Sequence, residues 1–255
     1  MKFFVRFRLF LIALGVTLIV VIAKYSLHLL GWELVEQTSL HNSVVSSVVF
    51  VIGFVLSATI TDYKESERIP AEFASVVEDM YEDAREIKKT YPTFDLELFR
   101  KNLIDILGSF REGTRVNRTG ARREIHDLNL TFGEMERAGV PPNFVVKLKQ
   151  QQAQLLRSMY RVNYIQKIRF IPSAFFLVRA LVILVVGLLL LTNIDPFYGG
   201  LLISGIITFI MTYMLLLIQV ISVPFHPKGA TKDDVSLFLL REAAEHLRQK
   251  GKKKK

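Results

Sequence analysis

Four stretches of this sequence are long, apolar and free of charge, and they restrict what the chain can become more than any other feature. Residues 10–23, 43–61, 180–194 and 197–223 contain no Asp, Glu, Lys or Arg. A helix rises about 1.5 Å per residue, so a hydrocarbon core about 30 Å thick is crossed by about 20 apolar residues. The first stretch extends back through Leu9, and the third reaches this length when residues 173–179 are added. Four transmembrane helices are therefore expected. A cleaved signal peptide is the alternative for the first. It is disfavoured because no small-residue cleavage site follows and Lys24 comes next.

The basic residues give the expected orientation. Lys2, Arg6 and Arg8 precede the first span, Lys64 and Arg68 follow the second, Lys167 and Arg169 precede the third, and Lys228, Lys232 and a final run of four lysines follow the fourth. The connections within each pair of spans carry little positive charge. The first holds Lys24 with Glu33 and Glu36, and the second holds Asp195. The positive-inside rule then puts both termini and the long middle segment in the cytoplasm, with Trp32, Phe197 and Tyr198 at the opposite interface. The fold expected is an all-α integral membrane protein: four transmembrane helices in two hairpins with a helical cytoplasmic domain between them. Its parts are residues 1–62 (first hairpin), 63–170 (cytoplasmic domain), 171–223 (second hairpin) and 224–255 (basic cytoplasmic tail). The net charge of +9 fits cytoplasmic loops and anionic headgroups. Nucleic acid is not expected as a partner, because no basic motif interleaved with aromatics is present.

The middle segment shows helical periodicity. Pro70 suits a first helical turn, and the Glu-, Ala- and Lys-rich run after it predicts a helix to Tyr91. Pro92 stops that run and Thr93 is the expected cap of the next helix, which carries Leu96, Phe99, Leu103, Ile106, Leu107 and Phe110 on one side. Residues 114–123 read as a loop in which Arg115, Arg118, Arg122 and Arg123 could meet an anion or a lipid, a solvated loop being the plainer alternative. Pro141 and Pro142 open a last helix with Val145, Leu148, Leu155, Leu156, Met159, Val162 and Ile165 on one side. No useful strand alternation is evident. The Asn-x-Thr sequons at Asn117 and Asn129 fall on the expected cytoplasmic side and are read as chance.

Catalysis finds no support. Cysteine is absent, which excludes thiol chemistry and disulfides. The five histidines are scattered, and no metalloprotease, nucleophile-elbow or P-loop pattern occurs. No enzyme activity and no cofactor is expected. No acidic residue falls in an uncharged stretch, and Arg179 is the charge nearest a span interior. It sits close enough to the expected cytoplasmic end to snorkel toward lipid headgroups.

The second span is the most informative element. Ser43, Ser47, Phe50, Phe54, Ser57 and Thr61 recur at steps of three and four and so share one helix face. Hydrocarbon does not favour a face with four hydroxyls. It must meet protein, as in close helix packing, or water, as the lining of a pore whose Phe side chains form an apolar constriction. Periodicity alone leaves both open.

Three patches resemble the bestrophin family. Phe50-Val51-Ile52-Gly53-Phe54, followed by Tyr63, Glu67 and Pro70, looks like the bestrophin neck helix, whose bulky apolar side chains repeat one turn apart. Pro172 leads into an aromatic and basic stretch at the head of the third span. Val223-Pro224-Phe225, then Gly229 and Asp233-Asp234, is similar to the segment where a Pro-Phe pair precedes an acidic cluster. The order of elements is also similar along nearly the whole chain. The resemblance implies a homo-oligomeric, pentameric ion channel with one axial pore, with small inorganic ions and membrane lipid as partners. Phe50 and Phe54 then map to the neck, and Ser46 stands one turn earlier, where the family often has an aliphatic residue. Residues 62–64 also depart from the family, which typically has tryptophans there. Asp233 and Asp234 are the metal candidates, but a calcium site takes about six to eight oxygen ligands, and Lys228 and Lys232 oppose one. A non-conducting membrane scaffold, whose cytoplasmic helices bind a partner or anionic lipid, is the competing expectation.

Overall fold

The structure is a computed structural model and describes residues 7–113, 120–167, 172–225 and 234–252. The described residues are overwhelmingly helical. In chain order they form α1 (Arg8–Leu29), β1 (Val35–Glu36), α2 (Ser39–Thr90), α3 (Leu96–Gly113), α4 (Gly120–Arg137), α5 (Pro142–Lys167), α6 (Pro172–Leu191), β2 (Thr192–Asn193), α7 (Phe197–Ile221) and α8 (Phe238–Lys252). They divide into two units. One holds α1, β1, α2 as far as Tyr63, α6, β2 and α7. The other holds α2 from Lys64 onward, α3, α4, α5 and α8.

The first unit contains the apolar helices. α1, α2, α6 and α7 are each long and apolar enough to cross a membrane, and the protein is an integral, multi-pass membrane protein. α1 and α7 pack closely. A Cβ at Gly205 of α7 would lie 3.2 Å from Val21 Cγ2, and Phe10 meets Phe209 edge-on at 5.3 Å between ring centroids. Small residues permit such approach where lipid supplies no hydrophobic drive. The apolar centre joins Val48, Ile52 and Val55 of α2 to Val178, Val182, Val185 and Leu189 of α6 and to Met211 and Ile218 of α7. Two short strands, absent from the sequence expectation, pair in parallel. Val35 lies opposite Thr192 and Glu36 opposite Asn193. Two residues are too few to leave an alternating pattern. Beyond β2 the chain folds tightly onto the start of α7, where a Cβ at Gly200 would fall 2.5 Å from Ile194 Cβ.

The second unit has a helical core. Each of Leu96, Phe99, Leu103, Ile106, Leu107 and Phe110 on α3 is buried, as are Phe73, Val77, Met80 and Ala84 on α2 and Ile125, Leu128 and Phe132 on α4. Phe73 stacks on Phe110 at 3.9 Å. The terminal helix α8 buries Leu240, Ala243 and Leu247, and the Arg100 guanidinium donates to the Leu247 carbonyl at 3.1 Å.

Three local expectations are corrected. Pro70 lies inside α2 rather than at a helix start. An interior proline forfeits one backbone bond and costs about 3 kcal/mol, but Ile69, Phe73 and Ala74 around it are buried, and that burial outweighs the local penalty. The cap of α3 is Asp95, whose carboxylate accepts from the Leu98 N–H at 3.0 Å, rather than Thr93. Part of the expected loop is helical, since α4 begins at Gly120.

Phe99 is fully buried against Phe94 and Phe132, so Phe99→Ala should cost about 3–5 kcal/mol. Leu98→Ala, on the exposed side of the same helix, should cost about 0.5 kcal/mol or less. Thermal unfolding of the purified protein in detergent separates the two. Gly200→Ala should also lower the midpoint, because its new methyl overlaps Ile194.

Candidate functional site

The first part of α2 has two unlike faces. Val48, Ile52, Val55 and Thr59 are buried, and the first three pack into the four-helix unit. These positions recur at three and four residues, which aligns them on one side of the helix. The opposite side carries Ser43, Ser46, Ser47, Phe50, Phe54, Ser57 and Thr61, all exposed. Phe50 keeps 76% and Phe54 70% of its surface open. Among the described residues, therefore, no neighbouring helix covers this stripe.

Its hydroxyls are only partly satisfied internally. Ser43 donates to the Ser39 carbonyl at 3.1 Å, Ser47 to Ser43 at 2.8 Å and Thr61 to Ser57 at 3.1 Å. This back-bonding is the usual way a hydroxyl is tolerated on a membrane helix. It uses the proton and leaves oxygen lone pairs outward. Ser46 and Ser57 have no such bond among the described residues. The stripe thus presents two phenylalanine rings one turn apart, with hydroxyls before and after them.

The other candidates are dispersed. Arg122 and Arg123 lie on α4 and are exposed, with the Arg122 guanidinium 5.6 Å from the Tyr160 ring centroid. Arg179 lies on α6, exposed, 5.0 Å from the Phe175 ring of its own helix. Arg115 and Arg118 lie outside the described residues, as does Asp233. Asp234 is half-buried. Among the described residues, no group of three or more His, Asp or Glu is placed to hold a metal ion.

A second cluster was not legible in the sequence. α1 continues past the uncharged stretch and carries Lys24, which is 1% exposed. Its ammonium donates to the carbonyls of Leu189 at 2.9 Å and Thr192 at 2.7 Å and to Glu33 Oε1 at 3.2 Å. The last carbonyls of a helix lack intrahelical partners and carry partial negative charge, so the end of α6 is a fitting seat for a cation. Glu33 balances the buried charge. Its Oε2 lies 2.7 Å from His28 Nδ1, and the His28 ring stacks on Phe197 at 3.6 Å. Burial pushes the Glu33 carboxyl up, but the hydrogen bonds from His28 and Lys24, with the charges behind them, outweigh burial and hold it below its ordinary value. The one signal in the sequence was a lysine directly after an apolar stretch, which reads equally well as the end of a span.

No protein-family model matches the chain, and no curated protein matches it in sequence. Solved structures do match in fold. A crystal structure of a mutant bacterial bestrophin homologue from Klebsiella pneumoniae is similar at TM-score 0.78 and 14% identity, over 96% of this chain and 98% of that one. Another structure of a Klebsiella pneumoniae bestrophin homologue, phased on zinc, is similar at TM-score 0.78 and 14% identity, over 95% and 97%. The chain therefore has a bestrophin-like fold along nearly its whole length.

The lowered Glu33 carboxyl has a consequence for acid stability. Its stabilising contribution is complete above the ordinary value of 4.5 and disappears as pH falls through the lower value it has when folded. The wild-type melting temperature should exceed that of Glu33→Gln at neutral pH, and the gap should close in strong acid.

Proposed function

We propose that this protein is a passive channel for small ions, with a pore lined by the exposed stripe of α2 in a closed ring of identical chains. In this arrangement Phe50 and Phe54, with Ser46 one turn before them, form the constriction. Ser43 and Ser47 line the pore on one side of it, and Ser57 and Thr61 on the other. The observation that carries the proposal is the two-faced helix: its valine and isoleucine side is used up inside its own unit, while its hydroxyl and phenylalanine side is left uncovered by the described residues. A single four-helix unit has too little wall to enclose water, so other copies must complete the surface. The bestrophin resemblance implies five. Two turns of phenylalanine brought together around an axis would narrow the path, and an apolar ring can close a pore by dewetting it.

The same proposal assigns the membrane topology. The spans form two hairpins, α1 with the first part of α2 and α6 with α7. Lys and Arg flank the ends nearest the termini and the middle segment, which favours a cytoplasmic location for residues 63–170 and for both termini. The exposed Arg122, Arg123 and Arg179, and with them Arg115 and Arg118, would contact anionic headgroups or permeant anions. The Asp233-Asp234 pair supplies too few ligands to build calcium activation upon. Ions and lipid are the expected ligands, and no chemical reaction is assigned.

Phe54→Ala should widen and hydrate the constriction and raise basal ion flux several-fold over wild type, measured on purified protein in planar bilayers or liposomes. Val55→Ala, on the packed face, should change stability more than flux. If neither wild type nor Phe54→Ala conducts, the channel assignment is wrong and the stripe is a packing or lipid-facing surface.

A further inference from the structure

We infer that Lys24 is a positioning residue for the Ser43 end of the proposed pore, its buried ammonium fixing where the lining helix begins. The inference rests on the channel assignment for its meaning, but its geometry stands independently. Lys24 belongs to α1, and the hydrogen bonds of its ammonium go to α6, β2 and Glu33 rather than to α2. It reaches α2 through a short series of contacts. Its ammonium holds the Thr192 carbonyl at 2.7 Å. Thr192 is in β2, which pairs with Val35 in β1, and only residues 37 and 38 separate β1 from the first residue of α2. Glu33, the counter-charge, sits in the same connection two residues before β1. The segment leading into α2 is therefore fixed at two points, by the Lys24–Glu33 pair and by the strand pairing.

An ammonium is a costly way to hold helices together. An apolar side chain of similar volume often serves packing equally well or better than a buried ion pair, and charge within an apolar bundle carries a large desolvation penalty. What the ammonium adds is direction. It binds three acceptors drawn from the end of α6, from β2 and from the connection before β1. A methionine could fill the space but would leave the Leu189 and Thr192 carbonyls without this donor and Glu33 with His28 alone. The start of α2 would then lose one of its two restraints, and the side chains nearest that end, Ser43 first, would move before those near Ser57.

The chain contains no cysteine, so a single introduced cysteine reports on one position. In the intact protein, the rate at which a charged thiol reagent modifies Ser43→Cys should change several-fold when Lys24→Met is added. The rate at Ser57→Cys should stay the same. Lys24→Arg, which retains a donor for the carbonyls, should restore much of the Ser43→Cys rate. If Lys24→Met does not fold, Glu33→Gln supplies the test, since it keeps the shape and removes the counter-charge, and the same selective change is expected. An unaltered Ser43→Cys rate in folded Lys24→Met or Glu33→Gln, with only a lower melting temperature, overturns the inference and leaves Lys24 a purely stabilising residue. The readout does not require current. Silent wild type and Phe54→Ala would defeat the channel assignment while leaving the labelling result to decide the role of Lys24.

Discussion

The contact on which the rest depends is the packing of Val48, Ile52 and Val55 into the valine-, leucine- and methionine-rich surface of α6 and α7. In a bilayer this contact gains no hydrophobic drive over lipid, so it rests on close fit between branched side chains. It also fixes the rotation of α2 about its axis. Once one side is committed inward, helical geometry sends Phe50, Phe54 and the hydroxyl positions the other way. A rotation of roughly half a turn would exchange the two faces, burying rings and hydroxyls among the valines and presenting a smooth aliphatic surface instead. Interior packing thus determines the chemistry that the outward face offers, whether to other copies, to water or to lipid.

The Lys24 cluster adds a polar constraint at the end of the same unit. Its charge is buried, but the helix-end carbonyls and Glu33 answer that charge, and His28, stacked on Phe197, pairs with the carboxylate. An apolar stripe leaves a helix free to slide by a turn at modest cost, whereas an ammonium set between three oxygens does not. The packed valine face and this ion cluster therefore divide the task. The first sets which way α2 faces, and the second, through the paired strands, sets where it starts.

Much of the architecture could be read from the sequence because it depends on local periodicity. The four apolar stretches needed only length and absence of charge. The α3 core positions from Leu96 to Phe110 all proved buried because a three-four repeat leaves few other arrangements. The shared face of the hydroxyl and phenylalanine positions followed from the same repeat, but its exposure did not, because a stripe of small polar residues also suits tight helix contact. Pro70 misled because its local cost was visible and the burial around it was not. Lys24 was read as a boundary for a related reason. Its partners are a carboxylate nine residues away and two carbonyls more than 160 residues away, and no spacing rule connects such groups. The strands, two residues each, were below the reach of any alternation pattern.

The decisive quantity is the number of copies that share the α2 face in a lipid-like environment. Native mass measurement of the intact protein released from membranes, without crosslinking, gives it directly. The account predicts a closed assembly of five chains, five times the single-chain mass of 29.2 kDa. A protein that remains monomeric there would leave Phe50 and Phe54 facing lipid, and no pore could form between them.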